Sequence, residues 1–297
     1  MEATCPPILL QMIYMIMAGY FEDDASDELT KDPIFKAVLE KSALASQPTV
    51  SRFFNRMDED TLKQFQEISQ ILRKRIYSIQ MPQAVILDLD STLLAAYGKQ
   101  EGRAFNFHYR SNGYHPLVCY AGITGDLIKI QLRDGAAYSC TGVTNFLQPI
   151  LDEYLNDYPT IHLLLRGDSG FATSDLYKQC EENGTSYVIR LMENFIKESK
   201  SGFDFSAVSS HNRIVNANRV QVHALAYNIF NWFRRLVLSA KMRKQRIDTV
   251  RLKLLKIATK VVHSARYITF KLCSSCPYKE EFYDTLSAIG KLNVQLE

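Results

Sequence analysis

Residues 84–90 read Ala-Val-Ile-Leu-Asp-Leu-Asp, an almost uninterrupted apolar run that ends in two acids. A short apolar run of this kind, rich in branched side chains, predicts a buried β-strand. The same pattern, bounded by turn-forming residues, predicts four more strands at 115–121, 127–132, 161–165 and 186–191. Residues 84–90 are therefore predicted to begin a sheet of five strands.

Helical periodicity fills the intervals after the third strand. Apolar residues recur at helical spacing over 143–155, a further helix is expected over 173–183, and a long one runs from 215 to 238. Residues 1–80 also have a helical pattern. The order of three strands, helix, strand, helix and strand predicts an α/β fold with one mixed five-stranded sheet, helices on both faces and helical terminal regions.

The composition excludes several classes of protein. The 297 residues are 46% hydrophobic and 23% charged, which is typical of a globular protein and not of a disordered or collagen-like chain. Six cysteines without a dense pattern favour free thiols in a reducing compartment. The apolar stretch 8–20 is too short to span a bilayer, so we expect a cytoplasmic protein without a membrane partner. The isolated pair Cys273 and Cys276 is better explained by packing than by zinc, although the sequence does not decide between them.

A short amphipathic helix is predicted within the N-terminal region. Ser46 is placed at its N-cap, and the apolar residues of 50–57 repeat at helical spacing. Arg52 and Arg56 remain on the exposed face, as in the recognition helix of a helix-turn-helix motif that contacts DNA. A plain helical hairpin explains the same pattern, and the sequence leaves both interpretations open.

Two of the predicted strands end in aspartates, Asp90 and Asp168. Ligands of open α/β sheets bind beyond the carboxyl ends of the strands, so both acids would meet there if their strands are parallel neighbours. Two close carboxylates repel each other unless a cation lies between them, and oxygen ligands suit Mg²⁺ or Mn²⁺. A turn-forming role is the alternative for each aspartate.

A third acid, Glu193, shares one face of a predicted helix with Lys197 and Lys200, at i, i+4 and i+7. One carboxylate and two ammonium groups on one face suit a metal ion and the phosphates of a phosphodiester substrate. A solvated helix face with an i,i+4 ion pair is the simpler explanation from the helix alone.

The string Asp88-Leu89-Asp90-Ser91-Thr92-Leu93 is open to a second interpretation. It resembles the first motif of haloacid dehalogenase phosphatases, in which Asp88 would be the nucleophile and Asp90 the general acid and base. The second acid of that family's metal motif is misplaced, because the next one after Asp168 is Asp175. The phosphatase is therefore the third hypothesis.

Motifs along nearly the whole chain resemble those of the DDE transposases of bacterial insertion sequences. The main ones are Asp90-Ser91-Thr92, Gly113-Tyr114-His115-Pro116-Leu117, Leu165-Arg166-Gly167-Asp168-Ser169-Gly170-Phe171 and Glu193-Asn194-x-x-Lys197-Glu198-x-Lys200. Further similar stretches lie at 45–53, 97–101, 226–228 and 273–278. Each string is weak alone, and their order makes the resemblance specific.

This resemblance implies a ribonuclease-H-like catalytic core. Asp90, Asp168 and Glu193 would hold two Mg²⁺ (or Mn²⁺) ions, and Asp88 would support these acids from the same strand face without binding the metal. Lys200 would be the lysine of the family's Y-R-E-K signature and would contact phosphate, with Lys197 beside it.

The same resemblance implies partners and a division of the chain. The partners would be double-stranded DNA, namely terminal inverted repeats and target DNA, and a second copy of the chain in a homodimeric paired-end complex at the bacterial nucleoid. We expect a helical DNA-binding region at 1–80, the catalytic core at 83–240 and a basic helical region at 241–297. In the last region an amphipathic helix is predicted to extend through Val261 and Val262.

The chain departs from the family at one place. Residues 187–191, which match the fifth strand, run directly into Met192 and Glu193, where relatives usually carry a β-rich insertion domain. An internal deletion explains this junction, and it would also remove the signature tyrosine and arginine. A helix needs a few loop residues to turn back onto a sheet, so we expect the fold to persist and strand transfer to be weak or absent. A DNA-binding remnant without catalysis is the main alternative to an active enzyme.

Overall fold

A computed structural model describes most of the chain. The described residues are 7–189, 200, 202–206, 208–263, 268–273 and 276–292. The helices are α1 (Pro7–Ala18), α2 (Ala25–Leu29), α3 (Pro33–Val38), α4 (Gln47–Asn55), α5 (Glu59–Ile79), α6 (Val143–Asp157), α7 (Ser174–Glu182), α8 (Arg213–Leu236), α9 (Ala240–Arg243), α10 (Ile247–Leu254) and α11 (Lys279–Gly290). The strands are β1 (Ala84–Ser91), β2 (Leu94–Ala95), β3 (Ala104–Asn106), β4 (Ser111–Tyr114), β5 (Leu117–Ala121), β6 (Leu127–Gln131), β7 (His162–Gly167), β8 (Ser186–Ile189), β9 (Thr259–His263) and β10 (Ile268–Leu272).

The central sheet has five strands in the order β6-β5-β1-β7-β8. Strands β1, β7 and β8 are parallel, and β5 is antiparallel to both β1 and β6. The tight β5–β6 connection allows an antiparallel hairpin, whereas the parallel strands need helical crossovers, which α6 and α7 provide. The predicted α/β fold with one mixed five-stranded sheet is confirmed.

Alternating burial along β1 determines which side chains face each helical layer. Val85, Leu87 and Leu89 join a core with residues of α6 and α7, including Phe146 and Leu176. The intervening residues, Asp88 and Asp90 among them, point to the opposite face because side chains alternate along a strand.

Helix α8 covers that opposite face. The ring of Tyr227 on α8 packs edge-on against Tyr120, which lies opposite Asp88 in the β1–β5 register. Asn228 on the same helix bonds the backbone of Leu127 through both its amide oxygen and its amide nitrogen. The two acids of β1 therefore share their face of the sheet with a well-packed helix.

The sequence did not predict the small sheet β2-β4-β3 between β1 and β5. Its strands are only two to four residues long, too short for a periodic pattern to appear. Gly113 is required in it, because a Cβ at this position would lie 2.1 Å from the carbonyl oxygen of Leu94. This sheet connects the end of β1 to the start of β5.

Residues group into two compact units that do not follow chain order. One contains Met57–Asn228, and the other joins Met1–Arg56 with Ile229–Glu297. In the second unit the Arg251 guanidinium donates to the carbonyls of Ile16 (3.2 Å) and Met17 (2.9 Å), which connects the two parts of the chain. The functional bounds 1–80, 83–240 and 241–297 stay a prediction.

The C-terminal region differs from its prediction. Helix α10 ends at Leu254, and Val261 and Val262 lie in β9, which pairs antiparallel with β10. The amide of Cys273 donates to the carbonyl of Ala258 at 3.0 Å and closes the hairpin. The β-branched residues at 259–262 fit a pleated strand, so the predicted continuous helix was wrong. In the described part of the chain, no helix has the length and apolar character needed to cross a membrane.

Candidate active site

The two candidate aspartates lie at the ends of neighbouring parallel strands. Asp90 is the penultimate residue of β1, and Asp168 follows the last residue of β7. In the register of these strands Asp88 lies beside Arg166, so Asp90 and Asp168, each two residues further on, lie level with each other. Neighbouring strands are about 4.8 Å apart. The condition that the sequence left open, two adjacent parallel strands, is met.

Each aspartate is oriented by a nearby backbone amide. Asp90 Oδ1 accepts from the N–H of Ser91 at 2.6 Å, and Asp168 Oδ1 accepts from the N–H of Gly170 at 2.8 Å. A Cβ at position 170 would lie 2.9 Å from Asp168 Oδ1 and 3.1 Å from the Cβ of Ser139. Glycine at 170 therefore lets the backbone turn closely around the Asp168 carboxylate.

Ser139 connects the two acid-bearing segments. Its hydroxyl accepts from the Ser91 hydroxyl at 2.9 Å, next to Asp90, while its Cβ lies against Gly170, next to Asp168. Ser139 is not predictable from the sequence, because it lies in a loop and no spacing relates it to either strand. Ser139 thus couples the position of the loop after β6 to both acid-bearing segments, through its hydroxyl on the Asp90 side and through its Cβ on the Asp168 side.

Arg133 organises the loop that carries Ser139. Its Nη1 donates to three backbone carbonyls, those of Tyr138 (3.2 Å), Ser139 (3.1 Å) and Thr141 (2.7 Å), and its Nε donates to the carbonyl of His115 (2.9 Å). Burial lowers the pKa of Arg133 to about 10, so the guanidinium remains charged at neutral pH. His115 Nδ1 donates to the carbonyl of Ala137 at 2.7 Å, and burial lowers the pKa of this imidazole.

Asp88 is held by an arginine of the neighbouring strand. Arg166 Nε and Nη2 reach its two carboxylate oxygens at 2.6 Å each, and this hydrogen bonding raises the pKa of Arg166. A bidentate pair of this kind fixes the orientation of both side chains. Both oxygens of Asp88 therefore bind a guanidinium, which disfavours the nucleophile role that the phosphatase hypothesis assigns to it.

Of the three site residues predicted on the helix at 193–200, only Lys200 is among the described residues; Glu193 and Lys197 lie outside them. Lys200 Nζ donates to the Thr92 hydroxyl at 3.2 Å and to the Leu93 carbonyl at 3.0 Å. These acceptors directly follow Asp90 and Ser91 in the chain. The structure therefore brings the ammonium group of Lys200 to the same end of the sheet as Asp90.

The donors present suit a divalent cation. Two carboxylates at one sheet edge provide the hard oxygen ligands that Mg²⁺ and Mn²⁺ prefer. Within the described residues no group of three or more metal-ligating side chains occurs. The third acid expected to complete the set, Glu193, is not one of those residues. Asp90 and Asp168 fit such an ion as two of its ligands.

The remaining candidate residues, Arg52 and Arg56, lie in the other compact unit, which joins Met1–Arg56 with Ile229–Glu297. Helix α4 has the predicted amphipathic form: Val50 and Phe54 are buried, and Arg52 and Arg56 are exposed. Ser46 has the extended backbone of an N-cap, although its hydroxyl contacts the hydroxyl of Thr49 at 3.2 Å and caps no amide. The basic face predicted on this helix is thus open to solvent.

The fold and the site together define a class of protein. In the central sheet, β1 lies between the antiparallel hairpin β5–β6 and the parallel strands β7 and β8, and acids lie at the ends of β1 and β7. This arrangement is the ribonuclease-H-like architecture. The chain belongs to the family described as transposase DDE domain group 1, whose family model matches residues 4–194 and 191–294. No curated protein matches the chain.

The chain is similar to several solved transposase structures. The catalytic domain of the Mos1 mariner transposase is 9% identical over 60% of this chain and 93% of that chain, with a TM-score of 0.29. The Mos1 paired-end complex with the left transposon end is 12% identical over 83% of this chain and 82% of that chain (TM-score 0.27). The piggyBac transposase synaptic complex with hairpin DNA is 11% identical over 84% of this chain and 72% of that chain (TM-score 0.35).

Proposed function

We propose that this DDE transposase cuts DNA at the ends of a bacterial insertion sequence in a metal-dependent reaction and joins the cut ends to target DNA. The observation that carries the proposal is the level placement of Asp90 and Asp168 at the ends of adjacent parallel strands. The family to which the chain belongs supports it. Nothing in the comparisons supports the phosphatase hypothesis.

In this proposal Asp90, Asp168 and Glu193 hold two Mg²⁺ (or Mn²⁺) ions. Bound there, the ions would activate the attacking oxygen and stabilise the leaving oxygen in displacement at phosphorus. Lys200 and Lys197 contact the phosphates of the element end, and the chain acts as a homodimer on paired ends. Arg52 and Arg56 bind the terminal repeat through the exposed face of α4.

An internal deletion is part of the proposal. The two stretches that match the family model meet at residues 191–194, where the predicted fifth strand runs into Glu193. This coincidence supports the loss of an insertion domain and of the Y-R-E-K tyrosine and arginine at this position. We expect cleavage and strand transfer to be weak, because a displacement of about 1 Å in a catalytic group costs about 100-fold in rate.

The test is a nicking assay on a duplex that carries the inverted repeats flanking the gene. We expect slow nicking that requires Mg²⁺ or Mn²⁺ and disappears in Asp168→Asn. The matched control is Asp175→Asn, an equal change in an exposed acid of α7. It should leave nicking and the affinity for Mn²⁺, followed by electron paramagnetic resonance, unchanged.

The outcomes separate the two functional alternatives. Specific binding of the repeat duplex without nicking by any variant would favour the DNA-binding remnant over the enzyme. Nicking that persists in Asp168→Asn at the unmutated rate would contradict the assignment of the site.

A further inference from the structure

A cleft of about 680 Å³ opens at the same end of the sheet as the candidate acids. It lies within the unit 57–228, between the last residues of β6, the start of α6, and the first turns of α5 and α8. The last residue of β6, Gln131, pairs with Leu117, which in turn pairs with Ser91 beside Asp90. The cleft is thus two strands away from Asp90 along one sheet edge.

Two cations of the cleft have no carboxylate partner among the described residues. Arg133 is 8% exposed; its Nε and Nη1 bond only backbone carbonyls, and its Nη2 has no hydrogen-bond partner in the described part of the chain. Lys129 Nζ donates to the carbonyl of Phe146 at 3.0 Å and lies 4.9 Å from the centre of that ring. A buried charge is normally paired, so the uncompensated charge of Arg133, together with the half-buried Lys129 in the same cleft, favours an external anion.

The start of α6 adds backbone donors to the same cleft. Gly142 is the N-cap with a φ of +70°, it makes no side-chain cap, and nothing lies within 4 Å of the position of its absent Cβ. The first turn of a helix carries amides without intrahelical partners and the positive end of the helix dipole. Gly142 and Asn145, both at this turn, line the cleft. A helix start of this kind is an anion site when cations converge on it.

Two further cations of the cleft have carboxylate partners. Arg213 Nε lies 4.0 Å from Asp134 Oδ1, and Lys63 Nζ lies 2.9 Å from Asp60 Oδ1. The acids that line the cleft itself are Glu59 and Asp134. Four cationic residues thus line the cleft against two acids, and the remaining polar lining consists largely of amide side chains. These amides are Gln66, Gln131, Asn145 and Gln221. Such amides donate to sugar and phosphate oxygens in protein–DNA interfaces.

We infer that this cleft binds the phosphodiester backbone of duplex DNA, with Lys129 and the first turn of α6 as the phosphate-binding groups and with the buried charge of Arg133 adding to the positive potential. The inference rests on the proposed function and adds to it a DNA contact on the β6 side of the active site. The cleft is far larger than one phosphate ion and is open to solvent, which favours a polymer over free phosphate. DNA that passes the candidate acids at this edge of the sheet would also reach the cleft.

The test uses Asn145→Asp, which places a negative charge in the cleft without changing the side-chain size. A carboxylate in the first turn stabilises a helix, so this variant should fold at least as well as the unmutated chain. Asn156→Asp is the matched control: it is the same change in the same helix, exposed, at the opposite end and outside the cleft. Duplex binding should weaken about tenfold in Asn145→Asp and remain unchanged in Asn156→Asp.

A salt titration gives a second measurement. Lys129→Gln keeps a hydrogen-bond donor near the Phe146 carbonyl but removes the charge. The slope of log K against log salt concentration for a random-sequence duplex should decrease by about 0.9, the value for one lost phosphate contact.

Three results would overturn the inference. The first is equal duplex affinity in Asn145→Asp and Asn156→Asp while Asp168→Asn still abolishes nicking, which leaves the proposed function intact. The second is a rise in the melting temperature of the unmutated chain in millimolar inorganic phosphate that Asn145→Asp removes without any change in duplex affinity. This result would identify a free-phosphate site. The third is the absence of any duplex binding by the unmutated chain, which would reject the proposed function as well.

Discussion

Two buried arginines in the same compact unit have opposite surroundings. Arg73 on α5 is 3% exposed, and its Nε and Nη2 reach the two carboxylate oxygens of Glu153 on α6 at 2.9 and 2.5 Å. Burial acts to lower the pKa of Arg73, but the electrostatic effects of Tyr154 and Glu153 outweigh it and the pKa is raised. Arg133 is buried to a similar degree with backbone carbonyls alone, and its pKa is lowered.

This difference separates charges that serve the fold from charges that are available to a ligand. The Arg73–Glu153 pair connects two helices and leaves no net charge. The charges near the carboxyl ends of β1 and β7 are bound by backbone groups instead of by an opposite charge. Asp168 accepts from the N–H of Gly170, and Arg133 donates to backbone carbonyls such as that of Thr141. Within β1, Asp88 is bound by both Nε and Nη2 of Arg166, whereas Asp90 Oδ1 accepts from the backbone N–H of Ser91. Mutations should therefore affect stability strongly in the first group and weakly in the second.

The largest effect is expected when the Arg73–Glu153 pair is broken. Glu153→Gln leaves the guanidinium of Arg73 buried without a counter-ion, and we expect the free energy of unfolding to fall by about 3–5 kcal/mol. Urea denaturation followed by circular dichroism measures this. The control is the double variant Arg73→Met/Glu153→Leu, which removes both charges and should recover most of the loss. A decrease below about 1 kcal/mol in Glu153→Gln would remove the contrast with Arg133.

The next prediction compares the loss of stability on mutating two aspartates of the same sheet. Asp88→Asn should lower the free energy of unfolding by about 1–3 kcal/mol, because Arg166 loses a charged bidentate acceptor. Asp168→Asn should change it by less than about 0.5 kcal/mol, since an amide oxygen still accepts from the N–H of Gly170. For affinity toward Mn²⁺ we expect the reverse order, with the larger loss in Asp168→Asn. Equal stability losses in the two variants would show that Asp168 is a structural acid like Asp88.

Much of the fold was predictable from local pattern. The strand that begins at Ala84 and the helix that begins at Val143 are continuous segments whose apolar spacing is read directly. The placement of Asp90 beside Asp168 followed from the assumption that their strands are parallel neighbours, and the register confirms that placement. These features depend on residues close together in the chain or on a general rule of sheet topology.

The unpredicted features depend on contacts between distant residues. Arg73 and Glu153 are 80 positions apart, and Ser91 and Ser139 are 48 positions apart, so no spacing relates them. Strand β9 differs from the predicted helix, a prediction that arises because Val261 and Val262 also fit a helical repeat. The role of Arg133 was missed because its partners are backbone carbonyls, which leave no trace in a sequence.

A smaller effect is expected at the hydroxyl pair that joins the loop after β6 to β1. Ser139→Ala and Ser91→Ala should each lower the free energy of unfolding by about 1 kcal/mol, the net value of one hydrogen bond. The double variant should lose little more than either single variant, because both remove the same bond. Chemical denaturation of the four proteins measures this coupling. Additive losses would mean that the 2.9 Å contact does not couple the loop to the acid-bearing strand.

The smallest effect is a pH dependence at His115, which lies beside Arg133. Burial holds the pKa of the folded His115 below its ordinary value of 6.5, and the positive charge of Arg133 acts in the same direction. The unfolded chain therefore takes up a proton near pH 6.5 and the folded chain only at lower pH. Stability from this source is fully present above pH 6.5 and decreases as the pH falls toward the folded pKa.

We expect a loss of less than about 1 kcal/mol between pH 7.5 and 5.5 that is absent in His115→Gln. Denaturation midpoints at both pH values measure it, with His162→Gln as the control because His162 is exposed. A parallel decrease in the unmutated chain and in His115→Gln would assign the acid sensitivity to other groups. A steeper decrease in the unmutated chain alone would assign the acid sensitivity to the His115 imidazole, whose charged form is disfavoured first by burial and then by the nearby Arg133.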